Sequence, residues 1–275
     1  MRTIVHLSDL HFGRLDQRLL TPLIYAVRAA NPDLVAVSGD FTQRALRRQF
    51  IQAHEFLEAL RFRKLVVPGN HDVPLYNLAA RFASPFASYR RFISNDLEPI
   101  FVDQEIAVVG LNTARALVTR GAGRLSEPQV IRAADWLRRV PLNLIRIVVT
   151  HHPFDVPEGV AAEHLVGRAS MAMARLAEVG ADLFLAGHLH VSHVGHTAER
   201  YRIAGHSALV IQAGTMSTRS RGELNTFNVL HIERPAVTVE RHSWVADEQR
   251  FVVSRTGKFH HAEQGWAEMA AAETP

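Results

Sequence analysis

The 275-residue sequence contains no cysteine. Disulfides, thiolate zinc sites and iron–sulfur clusters are therefore excluded, and any metal must be held by nitrogen and oxygen. An uninterrupted apolar run of the roughly 18 residues that would mark a transmembrane helix is also missing. The opening stretch MRTIVHLSDLHF does not read as a signal peptide or anchor, because His6 and Asp9 break it. The expectation is a cytoplasmic protein with no membrane partner. Net charge is +4, yet no concentrated basic block exists. Arginines such as Arg44, Arg47, Arg48, Arg61 and Arg63, or Arg132, Arg138 and Arg139, are spread over helical stretches and read as solvated faces. Without a long basic groove and interleaved aromatics, large nucleic acid is not an expected partner.

What is present suffices for a full globular core: 47% of residues are hydrophobic and 21% charged. One pattern recurs along the chain. A short β-branched run ends in a polar cluster, and an amphipathic segment follows. Strands are predicted at 3–9, 33–40, 64–70, 106–112, 144–151 and 181–188, and helices at 16–30, 44–61, 126–139 and 168–179. Such alternation argues for βαβ units and buried sheet. The last third differs, with strands at 208–214, 226–233 and 236–244 and almost no room for helices. Glu233-Arg234-Pro235 reads as a hairpin turn. The expectation is two sheets face to face with helices outside, in one domain. That domain is placed at 1–250, with 76–103 as a candidate cap and 251–275 as a partly frayed C-terminal extension. No internal repeat is evident.

Five predicted strands end in residues able to bind metal: Asp9-Leu10-His11, Gly39-Asp40, Gly69-Asn70-His71-Asp72, His151-His152 and Gly187-His188-Leu189-His190. Ligands of α/β sheets bind beyond the carboxyl ends of strands, so five such ends of one sheet are expected to converge on one crevice. Asp9 and His11 are two residues apart, as are His188 and His190. In extended chain such pairs point the same way. Glycines before Asp40, Asn70 and His188 allow sharp exits and close backbone approach. The run GHLHVSHVGH holds two further histidines, His193 and His196, which break this spacing. They read as supporting or surface residues on the connection to the next strand.

The ordered set D-x-H, G-D, G-N-H-D, H and G-H-x-H resembles the calcineurin-like metallophosphoesterases, over roughly residues 1–215. Within that superfamily SDLHFG, GDFTQ, PGNHD and THHP look most like the bacterial class III cyclic nucleotide phosphodiesterases. The resemblance implies an α/β fold, a four-layer αββα sandwich of two mixed sheets flanked by helices. It implies two divalent metals, Mn, Fe or Zn. One would be held by Asp9, His11, Asp40 and His190, and the other by Asp40, Asn70, His151 and His188, with Asp40 bridging. It further implies hydrolysis of a small phosphodiester, a cyclic nucleotide (3′,5′ or 2′,3′), by attack of a metal-bridging hydroxide. Another phosphoesterase activity (phosphomonoesterase, glycerophosphodiesterase, nucleotide-lipid pyrophosphatase) is the alternative. A catalytically silent scaffold is a further one, disfavoured because no ligand is missing. A homodimer is left open.

In the family pattern His71 sits by the phosphate and assists the leaving oxygen, and Asp72 could fix its orientation and tautomer. His152 either contacts substrate or caps the turn before Pro153. Arg44 could hold a phosphate oxygen or be a helix-face arginine. Asn112, with Thr113 and Arg115, ends another strand and is expected to line the pocket. Phe82, Phe86 and Tyr89 lie near helical spacing and read as core or cap packing rather than as a base-stacking platform.

Overall fold

A computed structural model of the chain describes residues 1–116, 122–201, 203, 206–219, 222–262 and 265–269. Its strands alternate because their apolar residues serve two different cores. In β1 (Arg2–Leu7), Ile4 faces one apolar layer while Val5 and Leu7 face another. In β2 (Leu34–Ser38), Leu34 and Ala36 oppose Val35 and Val37 in the same way. β3 (Lys64–Val67) follows in parallel.

The second sheet repeats this logic. It contains β4 (Ile100–Val102), β5 (Ile106–Gly110), β6 (Ile145–Val149), β7 (Leu183–Ala186), β8 (His193–His196) and β9 (Leu209–Gln212), in the order β4-β5-β6-β7-β9-β8. Its inward residues, among them Ile106, Val108, Ile147, Leu185 and Ile211, meet Ile4, Leu34 and Leu65 of the first sheet. Each such residue, fully buried, contributes roughly 1.5–3 kcal/mol. A one-residue slip would turn every one of them to the wrong face, so this layer fixes the register.

Helices cover the outer faces. α1 (Leu20–Ala30) and α2 (Arg47–Leu60) pack Leu23, Val27, Phe50 and Phe56 against the first sheet. α5 (Glu127–Arg139) and α6 (Ala169–Glu178) pack Val130, Leu137, Met173 and Leu176 against the second. The start of α5 is set by Ser126, whose backbone N–H donates to Gln129 Oε1 at 2.9 Å, with Pro128 in the first turn. Three apolar layers between four layers of structure make the expected αββα sandwich. Among the described residues no helix is long and apolar enough to cross a membrane.

Three expectations are corrected. The domain does not stop at residue 250, because the first sheet has seven strands, ordered β13-β12-β11-β10-β1-β2-β3. β10 (Thr226–Glu233) and β11 (Ala236–Val245) form the expected hairpin, and β12 (Arg250–Ala262) and β13 (Gly265–Glu268) continue the sheet. β12 pairs with β11 along its length and seats Phe251 and Phe259 in the cores, so 251–262 and 265–268 are sheet rather than extension. Residues 270–275, where fraying was expected, lie outside the described residues. The 76–103 segment is also divided. α3 (Leu78–Ala83) buries no residue, whereas α4 (Ala87–Phe92) is anchored by the fully buried Tyr89, and 100–102 is strand β4. Phe86 packs partly buried, as expected, while Phe82 is exposed. Finally, His193–His196 is not a mere connection: it forms edge strand β8, antiparallel to β9 and followed by α7 (Thr197–Tyr201).

Candidate metal centre

The polar strand ends do converge, but from two sheets rather than one. The first sheet supplies Asp9 and His11 after β1, Asp40 after β2, and Asn70 and His71 after β3. The second supplies His151 and His152 after β6, and His188 and His190 after β7. The ligand atoms of Asp9, His11 and His190 lie within 4.8 Å of one another, as do those of Asp9, Asp40 and His151, and of His151, His152 and His188. Nε2 of His11 and His190 are 3.0 Å apart. Asp9 Oδ1 is 3.1 Å from His190 Nε2 and 3.4 Å from His11 Nε2. Asp40 Oδ2 is 3.4 Å from His151 Nε2 and 3.6 Å from His11 Nε2. His151 Nε2 is 3.0 Å from Asn70 Oδ1.

The local backbone is not what the spacing argument assumed. Asp9 and His11 have φ of 52° and 47°, and His188 and His190 have 74° and 59°; Asp40 has 55°. These are left-handed conformations, so the two pairs do not converge as neighbours on extended chain. Such conformations cost of order 1–3 kcal/mol each outside glycine, and Asp and His tolerate them better than most. Hydrogen bonds hold them: the Asp9 and His11 N–H groups donate to the carbonyls of Gly39 and Asp40 at 3.1 and 2.9 Å. Met216 N–H and Thr215 Oγ1 donate to the Asp9 carbonyl. The neighbouring glycines are needed for close approach. A Cβ on Gly69 would stand 2.1 Å from Asp40 Oδ1, and one on Gly187 would stand 1.7 Å from Ser8 Oγ.

Four candidate ligands, Asp9, Asp40, His151 and His190, have an outer atom tied to the protein and an inner atom facing the centre. Asp9 Oδ2 accepts from Ser8 Oγ at 2.6 Å and from His188 N–H at 2.9 Å. Asp40 Oδ1 accepts from His71 N–H at 2.8 Å. His151 Nδ1 donates to Ser38 O at 2.8 Å, and His190 Nδ1 to Arg219 O at 3.0 Å. This is how outer hydrogen bonds orient metal-binding side chains. Asp9 Oδ1 is buried without a hydrogen-bond partner among the described residues. A donor set of carboxylate, amide oxygen and imidazole suits first-row divalent metals such as Mn, Fe or Zn. The residues present therefore fit a pair of such ions.

The electrostatics follow from burial and proximity. Against burial, the imidazoles around Asp9 and Asp40 hold both carboxyls well below the usual carboxylate range. Against burial again, Asp40 and Asp9 hold His151 up to about 9. His188 is pushed down to about 3, by burial first and by His151 second.

His71 stands at the edge, its ring edge-on to His11 at 4.9 Å. Its Nδ1 donates to Gln43 O at 2.8 Å, which leaves Nε2 as the other face, 3.3 Å from Arg219 Nη1. Asp72 does not orient His71, contrary to expectation. Its oxygens accept from the N–H groups of Phe41, Thr42 and Gly69 and from Thr42 Oγ1, at 2.9–3.2 Å. It ties the β3 turn to the loop after β2. Burial and the neighbouring Asp40 push Asp72 up to about 7, against those donors.

The expected substrate residues separate. His152 belongs to the cluster, with its ring 4.5 Å from His188 and Nδ1 2.7 Å from Thr113 Oγ1. Arg44 lies on the exposed rim, hydrogen-bonded to the Tyr76 hydroxyl and 5.0 Å over that ring. Asn112 turns into its own loop: Oδ1 accepts from Ala114 N–H at 2.9 Å, and its carbonyl accepts from Gln129 Nε2 at 3.0 Å. Arg115 donates to the carbonyls of Asn112 and Ala114, so neither reaches the centre. Arg219, with Thr215 and Asn225 bracing its loop, was missed. Its signal was the polar run TMSTRSRGELN after β9, which carries no ligand spacing.

A family model for calcineurin-like phosphoesterases matches residues 2–192. The chain belongs to that family. It is similar to a probable glycerophosphodiester phosphodiesterase from Arcobacter nitrofigilis, 28% identical over 150 residues; the match spans 54% of this chain and about half (51%) of that protein. Two solved structures share the fold. A dimetal phosphatase from Danio rerio aligns with TM-score 0.64 and 14% identity, over 91% of this chain and 98% of that one. A purple acid phosphatase from yellow lupin (Lupinus luteus) aligns with TM-score 0.67 and 10% identity, over 93% of this chain and 53% of that one.

Proposed function

We propose that this chain is a dinuclear metal-dependent phosphodiesterase acting on a small phosphodiester, with a cyclic nucleotide as its substrate. The observation that carries the reading is the cross-sheet set of Asp9, His11, Asp40, Asn70, His151, His188 and His190. Their donor atoms gather at one centre, and outer hydrogen bonds tie down Asp9, Asp40, His151 and His190. Asp9, His11, Asp40 and His190 would hold one ion, and Asp40, Asn70, His151 and His188 the other. When bound, the pair supplies Lewis-acid stabilisation of a phosphoryl group and a hydroxide nucleophile at neutral pH.

The rest is the work of the chain. Asp9 and Asp40 offset the positive charge of the ions. His71, held by Gln43 through Nδ1, presents Nε2 toward the phosphate and gives a proton to the leaving oxygen. Arg219, beside Nε2, binds a phosphate oxygen. His152, positioned by Thr113, and Arg44, on the rim, contact the substrate.

A diester is favoured over a monoester by the similarity to the Arcobacter protein, a probable glycerophosphodiester phosphodiesterase, which also makes glycerophosphodiesters the second reading. The test is turnover by the Mn²⁺-loaded protein. Bis-p-nitrophenyl phosphate should be cleaved well ahead of p-nitrophenyl phosphate. The reverse order overturns the diester reading, and no turnover of either with metal bound overturns the enzyme. Cyclic 3′,5′- and 2′,3′-AMP should then outrun glycerophosphocholine; the opposite order selects the second reading.

A further inference from the structure

At the opposite end of the strands, where β6, β7 and β9 begin, lies a cleft of about 770 Å³. Arg146 of β6 lies at its floor, 5% exposed. Its guanidinium donates to the carbonyls of Leu137 and Val140 at 3.3 Å and of Pro141 at 3.5 Å, capping the end of α5. Those carbonyls supply partial negative charge but no formal one. Among the described residues no carboxylate lies within ion-pair distance of Arg146, although its backbone N–H donates to Asp182 Oδ2 at 2.8 Å. Asp182 is already committed, because Oδ1 accepts from Trp266 Nε1 at 3.1 Å. Asp182 acts on the Arg146 guanidinium only from beyond ion-pair distance, and a buried charge with no closer counter-charge among the described residues points to a ligand that supplies one.

Three further observations agree. Arg146 Nη1 makes no hydrogen bond among the described residues and lies 3.4 Å from the position a Cβ would take on Gly180, in the cleft wall. His206 Nε2 is buried on the same wall, without a hydrogen-bond partner among the described residues. Arg234, which donates to the carbonyls of Leu142 and Leu144, and Arg138, paired with Asp135, line the cleft with one exposed acid, Glu178. The size is that of a small-molecule site rather than of a single inorganic ion.

We infer that this cleft binds a small organic anion, a molecule carrying a phosphate or carboxylate that pairs with Arg146 and reaches His206 and Arg234. The fork of an arginine matches either group. The site is remote from the metal centre and does not depend on the activity proposed above.

The test is calorimetric titration of the full, metal-loaded chain with AMP and with citrate, using adenosine as the uncharged control. Because AMP could also enter the metal centre, the titration is repeated on Asp40→Ala. One molecule of AMP or citrate per chain should still bind that variant, and adenosine should not. Arg146 is buried, so its substitution could unfold the chain; Ala174, exposed on the α6 wall of the cleft, is the safer probe. Ala174→Glu and Arg234→Ala should each weaken binding about tenfold, the size of one charge-assisted contact. Ala174→Lys should tighten it. Binding by AMP alone assigns a phosphate, and by citrate alone a carboxylate. The inference is overturned if neither binds up to millimolar concentration, if binding is lost in Asp40→Ala, or if Ala174→Glu and Ala174→Lys behave alike.

Discussion

The two sheets contribute different chemistry to one centre. The seven-stranded sheet gives all the candidate oxygen donors, Asp9, Asp40 and Asn70, with His11 and His71. The six-stranded sheet gives only imidazole: His151, His152, His188 and His190. Neither sheet alone carries a complete ligand set for either proposed ion. The centre exists only because the apolar layer containing Ile4, Leu34, Ile147 and Leu185 holds the sheets in register. Ligand geometry and core packing are therefore coupled across one seam.

The strongest way to break that pairing is to remove the carboxylate assigned to both ions. Asp40→Ala should leave fewer than two metals per chain and abolish turnover, measured by metal analysis of the purified protein; two retained metals would refute the bridging assignment. His71→Ala should separate chemistry from assembly. It should keep both metals while kcat falls by about 10²–10⁴. Equal loss of metal would make His71 a ligand instead, as its proximity to His11 and Asp40 allows.

Gly187→Ala tests the seam itself. The new methyl would strike Ser8 Oγ and Asp9 Oδ2, which belong to the other sheet. Metal affinity should drop roughly 10–100-fold, as when outer hydrogen bonds of a ligand are lost. Unchanged affinity would show that the seam yields easily. The smallest effect is expected outside the comparison. Asn112→Ala should cost about 1 kcal/mol of stability through one lost turn hydrogen bond and leave kcat unaltered. A large fall in kcat would return Asn112 to the site.

Much of this was legible before the fold was known. Alternation in TIVHLSD and DLVAVSGD reflects strands buried on both faces, and the polar ends fall where those strands stop. What escaped has particular causes. β12 was read as an extension because most of its residues face solvent; only Phe251 and Phe259 are well buried, too few to give a period. Asp72 looked like a partner for His71 because it is the next residue, yet its oxygens are taken by backbone N–H groups from another loop. Arg219 reaches His71 across 148 positions, a separation no local pattern can encode.

The sequence by itself determined which residue types stand at which strand ends, and so the donor set, the absence of thiolate and the four-layer plan. These are local properties, set by hydrophobic period and by composition. Only the tertiary structure decided that the candidate ligands come from two sheets, that five of them sit in left-handed backbone, and which atoms of Asp9, Asp40, His151 and His190 face inward. Those facts depend on long-range hydrogen bonds and on the packing of one sheet against another, which fix each side chain only after both sheets have met.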